Sequence, residues 1–145
     1  MRIRPLGHLL LPLSLAACGA PRAANHAQIA ERDTITDRDW ALVQVGGNPV
    51  PTDPGGRGPT LRLDSPATRA SGSAGCNQFS GSFKLMRDSL SFGPVVSTRM
   101  ACAPAAMQLE QAYLSALSAA STYRATDSTL TLSGAAGVLA EFRAK

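Results

Sequence analysis

Beyond residue 40 apolar and polar residues alternate with period two, and one stretch breaks to a helical period. Trp40-Ala41-Leu42-Val43-Gln44-Val45 is a β-rich run, closed by Gly46-Gly47-Asn48-Pro49. Thr60-Leu61-Arg62-Leu63 alternates and stops at Asp64-Ser65-Pro66, a strand followed by a turn. Thr68 to Ala74 alternates among small residues and is a weaker strand signal. Ser82 to Met86 and Ser89 to Phe92 are short alternating runs with Arg87-Asp88 placed as a tight turn. Thr122 to Ala125, Thr129 to Ser133 and Val138 to Arg143 complete the strand-like segments, with Gly134 and Gly137 bracketing the last turn. From Pro104 to about Ala119 the spacing changes: Met107, Glu110, Tyr113 or Leu114, and Leu117 recur at helical intervals. Pro104 suits the first turn of that helix, where no N–H is needed. The pattern predicts an α+β fold, mostly antiparallel β: a small open (cracked) β-barrel of seven to eight short strands with one packed α-helix.

The N-terminal end has a different grammar. Met1-Arg2-Ile3-Arg4 is basic, Leu9 to Ala17 is apolar, and small residues precede Cys18. These are the parts of a secretory signal, and the apolar run falls well short of the ~20 residues of a spanning helix. Leu15-Ala16-Ala17-Cys18 is similar to a lipobox, where a cysteine thiol accepts diacylglycerol. The expectation is a lipoprotein signal peptide over 1–17, cleavage before Cys18, lipidation of Cys18 and attachment to the membrane through that lipid. Gly19 stands where an aspartate would retain the protein in the inner membrane, which favours the outer membrane facing the periplasm. The alternative is an ordinary signal peptide that happens to contain a cysteine. Residues 18–39 lack a sustained apolar period and read as a lipidated N-terminus and flexible tether, an N-terminal helix from Ile29 onward being the alternative, with the domain spanning 40–145.

Charge adds little. Removing the leader takes Arg2 and Arg4 and lowers the formal charge from +4 to +2, and the rest is scattered. Nothing in that distribution points to nucleic acid.

Two stretches concentrate unusual residues: Ser73-Ala74-Gly75-Cys76-Asn77-Gln78-Phe79-Ser80-Gly81 and Ser97-Thr98-Arg99-Met100-Ala101-Cys102-Ala103. Gly75 can take positive φ, the Asn77 side chain can bond nearby backbone, and Gly81 lets the chain turn again. Taken with Trp40 and Leu42 upstream and a helix carrying Glu110 and an aromatic downstream, the order Gly-Cys-Asn-x-Phe-x-Gly then Ser-Thr-x-Met-x-Cys resembles the META domain family. That family includes an HslJ-like heat-inducible envelope protein. The resemblance covers about Trp40 to Phe142 and rests on Trp40, Gly75, Cys76, Asn77, Phe79, Gly81, Ser97, Thr98, Met100, Cys102 and Glu110. It implies a small, mostly antiparallel β structure with one packed helix, and a setting in envelope stress or antibiotic tolerance; it implies no reaction. The sequence departs from the pattern in its Pro/Gly-rich loop between Gly46 and Pro59 and in Ser82-Phe83, where a tyrosine is often found.

With Cys18 lipidated, Cys76 and Cys102 form an even pair in an oxidising compartment. A disulfide between them would close a loop of about 27 residues, worth about 3.5 kcal/mol in the chain-entropy model. Two buried free thiols packing as small hydrophobes are the alternative. Glu110 lies beside Thr98-Arg99 in the family pattern, and an ion pair with Arg99 is the expected arrangement.

Catalytic readings lack parts. His8 belongs to the leader and His26 to the tether, so no histidine remains for a Ser-His-Asp or Cys-His nucleophile, or for a His-based zinc site. Neither a phosphate loop nor a nucleophile elbow occurs. Six scattered carboxylates (Asp39, Asp53, Asp64, Asp88, Asp127 and Glu141) match an ordinary solvated surface. The expectation is therefore a non-enzymatic, membrane-anchored envelope lipoprotein that binds a partner, without cofactor or metal. A small apolar ligand in the barrel mouth is the second reading and a hydrolase the third. An apolar cavity under Phe79–Phe83 would favour the second, and a filled core the first.

Overall fold

The computed structural model describes residues 35–51 and 58–145. The leader, Cys18, the tether through residue 34 and the centre of the Pro/Gly-rich loop with Asp53 lie outside the described residues. The elements run β1 (Asp39–Val45), β2 (Asn48–Pro49), β3 (Thr60–Asp64), β4 (Arg69–Ser73), β5 (Gln78–Met86) and β6 (Ser89–Ser97). Then follow α1 (Pro104–Ala119), β7 (Thr122–Ala125), β8 (Thr129–Gly134) and β9 (Gly137–Ala144).

One sheet holds them in the order β6-β5-β4-β3-β1-β9-β8-β7, with two-residue β2 folded back on β1. Every pairing is antiparallel. Strand β1 is the hinge of the topology. A meander β3–β6 leaves it on one side, α1 crosses over, and a meander β7–β9 returns to its other side. The free edges β6 and β7 then meet at one end only. Leu90 N–H donates to Ser121 O at 3.3 Å, Tyr123 N–H to Asp88 O at 3.0 Å, and Tyr123 Oη to Arg87 O at 2.9 Å. The result is the curled, cracked barrel with one helix that the alternation predicts.

Alternation explains the core directly. Trp40, Leu42 and Val45 of β1, Leu61 and Leu63 of β3, Leu130 and Leu132 of β8, and Ala140 and Phe142 of β9 are buried on one face. The helix closes that space with Glu110, Tyr113, Ala116 and Leu117. Tyr113 is the central plug: its ring meets Phe79 edge-on at 5.6 Å and Phe142 at 5.9 Å, and its hydroxyl donates to Thr60 O at 3.1 Å. Complete burial raises the Tyr113 phenol well above the ordinary tyrosine pKa by desolvation.

Four expectations are corrected. The packed domain begins before Trp40, because Ile35 is fully buried and its carbonyl accepts the Trp40 indole N–H at 2.9 Å. Residues 35–39 therefore belong to the domain, not to a tether; a single apolar residue among polar ones carries no periodicity to reveal this. Gly81 does not turn the chain: Gln78 to Met86 is one strand, paired with β4 on one side and β6 on the other. Double pairing overrides the poor β propensity of Ser-Gly-Ser, and a bulge between Gly81 and Phe83 absorbs the misfit. Strand β6 likewise runs on through Gly93-Pro94 to Ser97. Finally, Met107 keeps the helical spacing but faces out, 40% exposed.

Candidate functional site

The two motif stretches meet at the start of β5, and Asn77 is their junction. Gly75 takes φ +105°, a conformation open to glycine, and turns the chain so that Cys76 and Asn77 point inward. The Asn77 side chain is 2% exposed, and its carboxamide is used at both ends. Its Oδ1 accepts from Met100 N–H at 2.7 Å and from Thr98 Oγ1 at 2.9 Å. Its Nδ2 donates to Glu110 Oε1 at 3.0 Å, while the Asn77 backbone N–H donates to Glu110 Oε2 at 2.8 Å. Thr98 Oγ1 in turn accepts from Gln78 N–H at 3.1 Å. One asparagine thus fastens β5, the segment after β6 and the helix.

The expected ion pair between Glu110 and Arg99 does not form. Arg99 is exposed, and Glu110, 8% exposed, turns both carboxylate oxygens to Asn77. A carboxylate offers two acceptors to the paired donors of one asparagine, without requiring a buried guanidinium as partner.

Cys76 and Cys102 are joined, with Cα atoms 6.0 Å apart. The bond lies beside the Asn77 node and links the start of β5 to the residue preceding the N-cap of α1. Phe79 packs on Tyr113 immediately beyond. Gly75, Cys76, Asn77, Phe79, Thr98, Met100, Cys102 and Glu110 are therefore brought together. Gly81 sits farther along β5, where an added Cβ would meet Pro94 O at 2.9 Å. Ser97 ends β6 and is exposed. Trp40 is separate, fully buried on β1 with the Arg38 guanidinium stacked 4.8 Å from its ring centroid.

The polar atoms of this node serve one another. Among the described residues no buried side-chain N or O lacks a partner, and no group of three or more His, Cys, Asp or Glu could hold a metal ion. Met100 is divided: its backbone is held by Asn77, while its side chain is 59% exposed.

A groove of about 760 Å³ opens next to the node, between β6 and the outer face of α1. Phe92, Pro94 and Val95 form one wall, and Met107, Gln111 and Leu114 the other. Its lining carries no charge except Glu110, already bound to Asn77. Sequence reasoning missed this groove. Met107, Gln111 and Leu114 share a helical face, but that face gains meaning only because the β6 edge runs past it. A second hollow of about 590 Å³ lies over β3–β6, where Arg62 pairs with Asp39 at 3.3 Å. Phe79 and Phe83 are both buried within the core cluster.

Comparison with known proteins follows the same outline. No curated protein matches the chain. An NMR structure of a protein from Burkholderia xenovorans is similar at 29% identity over 95% of this chain and 99% of that one, with a TM-score of 0.63. A second NMR structure is similar at 28% identity, covering 77% of this chain and 92% of its own, with a TM-score of 0.61. A crystal structure of a DUF4847 family protein from Bacteroides vulgatus shares the fold at 13% identity, over 78% of this chain and 95% of that one, with a TM-score of 0.57. The META domain model matches residues 33–145, a span that takes in Ile35, both motif stretches and the helix with Glu110. On that match the chain belongs to the META domain family.

Proposed function

We propose that this protein is an envelope lipoprotein, anchored through lipid on Cys18, whose META domain acts by binding a partner and not by catalysis. One observation carries the reading: the motif side chains that could do chemistry are consumed internally. Asn77, Thr98 and Glu110 bond one another, and the cysteines bond each other. A general base or nucleophile must be free to engage a substrate, whereas each Glu110 oxygen is held by an Asn77 N–H and neither cysteine is a free thiol. The groove between β6 and α1, whose lining has Glu110 as its one charged residue, supplies concave surface for a partner. Burial of Phe79 and Phe83 in the core cluster supports partner binding over a ligand in the barrel mouth.

The test is site-directed photo-crosslinking in intact cells. Probes at Met107 or Leu114 in the groove should give a discrete adduct, and a probe at Arg143 on the outer face should not. Equal yields from all three positions would overturn the groove as the binding surface. Fatty-acid labelling of wild type but not Cys18→Ser tests the anchor, and equal labelling of both would remove it.

A further inference from the structure

Helix α1 begins with Pro104 in its first turn but lacks a side-chain cap and a charge to match its dipole. Ala103 at the N-cap makes no side-chain capping bond, and the first turn carries no acidic residue. That turn also packs on little: Pro104, Ala105, Met107 and Gln108 are all exposed. Ala106 and Leu109 are only partly buried, Leu109 approaching Gly75, and the first buried residue is Glu110, which bonds Asn77. Two ties hold the segment ahead of the helix to the sheet: Met100 N–H bonds Asn77 Oδ1, and nearer the helix Cys102, one residue ahead of the N-cap, is bonded to Cys76. The same turn provides Met107, at one end of the β6–α1 groove.

We propose that the Cys76–Cys102 bond is a redox latch: it holds the first turn of α1, and its reduction unwinds that turn while the rest of the domain stays folded. The ties attach at different points along the helix, which makes this possible. The disulfide acts ahead of Pro104, whereas the Asn77–Glu110 bonds and the buried Tyr113, Ala116 and Leu117 hold the helix from residue 110 onward. Loss of the first tie leaves the second intact.

The sulfurs differ in access. Cys102 is half-buried and Cys76 is buried, with Asn77 Nδ2 3.5 Å from Cys76 Sγ. An external dithiol therefore attacks Cys102 Sγ; the S–S bond breaks, and its electron pair leaves on Cys76, which takes up a proton. The second thiol of the reductant then displaces Cys102 as a thiol and closes the reductant's own disulfide. Two electrons pass from dithiol to protein. A consequence for partner binding rests on the groove reading above, but the latch does not.

Hydrogen exchange on the full-length mature protein, oxidised and after dithiothreitol, tests the latch. Met107 N–H bonds Ala103 O at 3.1 Å in the first turn and is the reporter. On reduction, amides of Met107 and Gln108 should exchange at least about tenfold faster, while those of Tyr113 to Leu117 keep their protection. The Cys76→Ala/Cys102→Ala variant should show the fast pattern with or without reductant; should it not fold, the reduced wild type alone decides. Unchanged exchange at Met107 would overturn the latch, as would loss of protection throughout the domain. Crosslinking from Met107 in the oxidised protein tests the groove separately, so failure of one idea is distinguishable from failure of the other.

Discussion

Replacing Asn77 by alanine removes the junction between the two motifs without touching the hydrophobic core. Three short side-chain bonds disappear, at 2.7, 2.9 and 3.0 Å, with two longer Nδ2 contacts at 3.5 Å to Met100 O and Cys76 Sγ. The bond to Glu110 involves a carboxylate, worth about 1.5–3 kcal/mol, and each of the others contributes about 0.5–1.5 kcal/mol. Glu110 keeps the backbone N–H of residue 77 at 2.8 Å, so its carboxylate is not wholly abandoned. The expected loss is about 3–4 kcal/mol, less than a simple sum at its upper end because networked bonds are not additive. For a domain of this size that lowers the melting temperature by roughly 10–15 °C. Glu110→Gln is the informative partner: it replaces one of the two accepting oxygens by an NH₂ facing an Asn77 donor, so about half that loss is expected. Thermal unfolding followed by circular dichroism, on oxidised protein, measures both variants and the double variant. The double variant should fall well short of the summed single losses. A shift below about 3 °C for Asn77→Ala, or strict additivity, would refute the claim that this node holds the helix.

Other outcomes follow from the same packing. Trp40→Ala should cost about 3–5 kcal/mol in urea unfolding, and native indole emission should be blue-shifted, because the ring is fully buried. Gly72→Ala should also destabilise strongly, since the new Cβ would collide with the backbone oxygen of Thr60; the same unfolding assay checks it. The folded pKa of Tyr113 is raised, so its contribution to stability is complete below the unfolded tyrosine value of about 10 and declines as pH rises above it. Tyr113→Phe should blunt that alkaline loss, at a cost near 1 kcal/mol for the bond to Thr60, in unfolding curves across pH. Mass spectrometry of non-reduced peptides should recover the Cys76–Cys102 pair intact.

Strand and helix identities were legible because each buried face left its period in the chain. Leu61 and Leu63, Leu130 and Leu132, and the helix from Pro104 to Ala119 needed no partner to be recognised. The motif residues were legible as a group, but their roles were not. Glycine-cysteine-asparagine marks a constrained turn, while nothing local says that Asn77 meets a glutamate 33 residues later and not a nearby backbone group. That pairing was decided by the helix crossing from β6 to β7, which sets Glu110 against the start of β5. Glu110 turning away from Arg99 follows from the same geometry. Ile35, Gly81 and the groove beside Met107 were likewise settled by long-range pairing, since a lone apolar residue, a glycine in a strand or an outward helical face has no periodic signature. The sequence alone determined which segments form strands and helix, because burial imposes local periods; tertiary structure decided which side chains meet, because contact depends on how the sheet curls and where the helix crosses it.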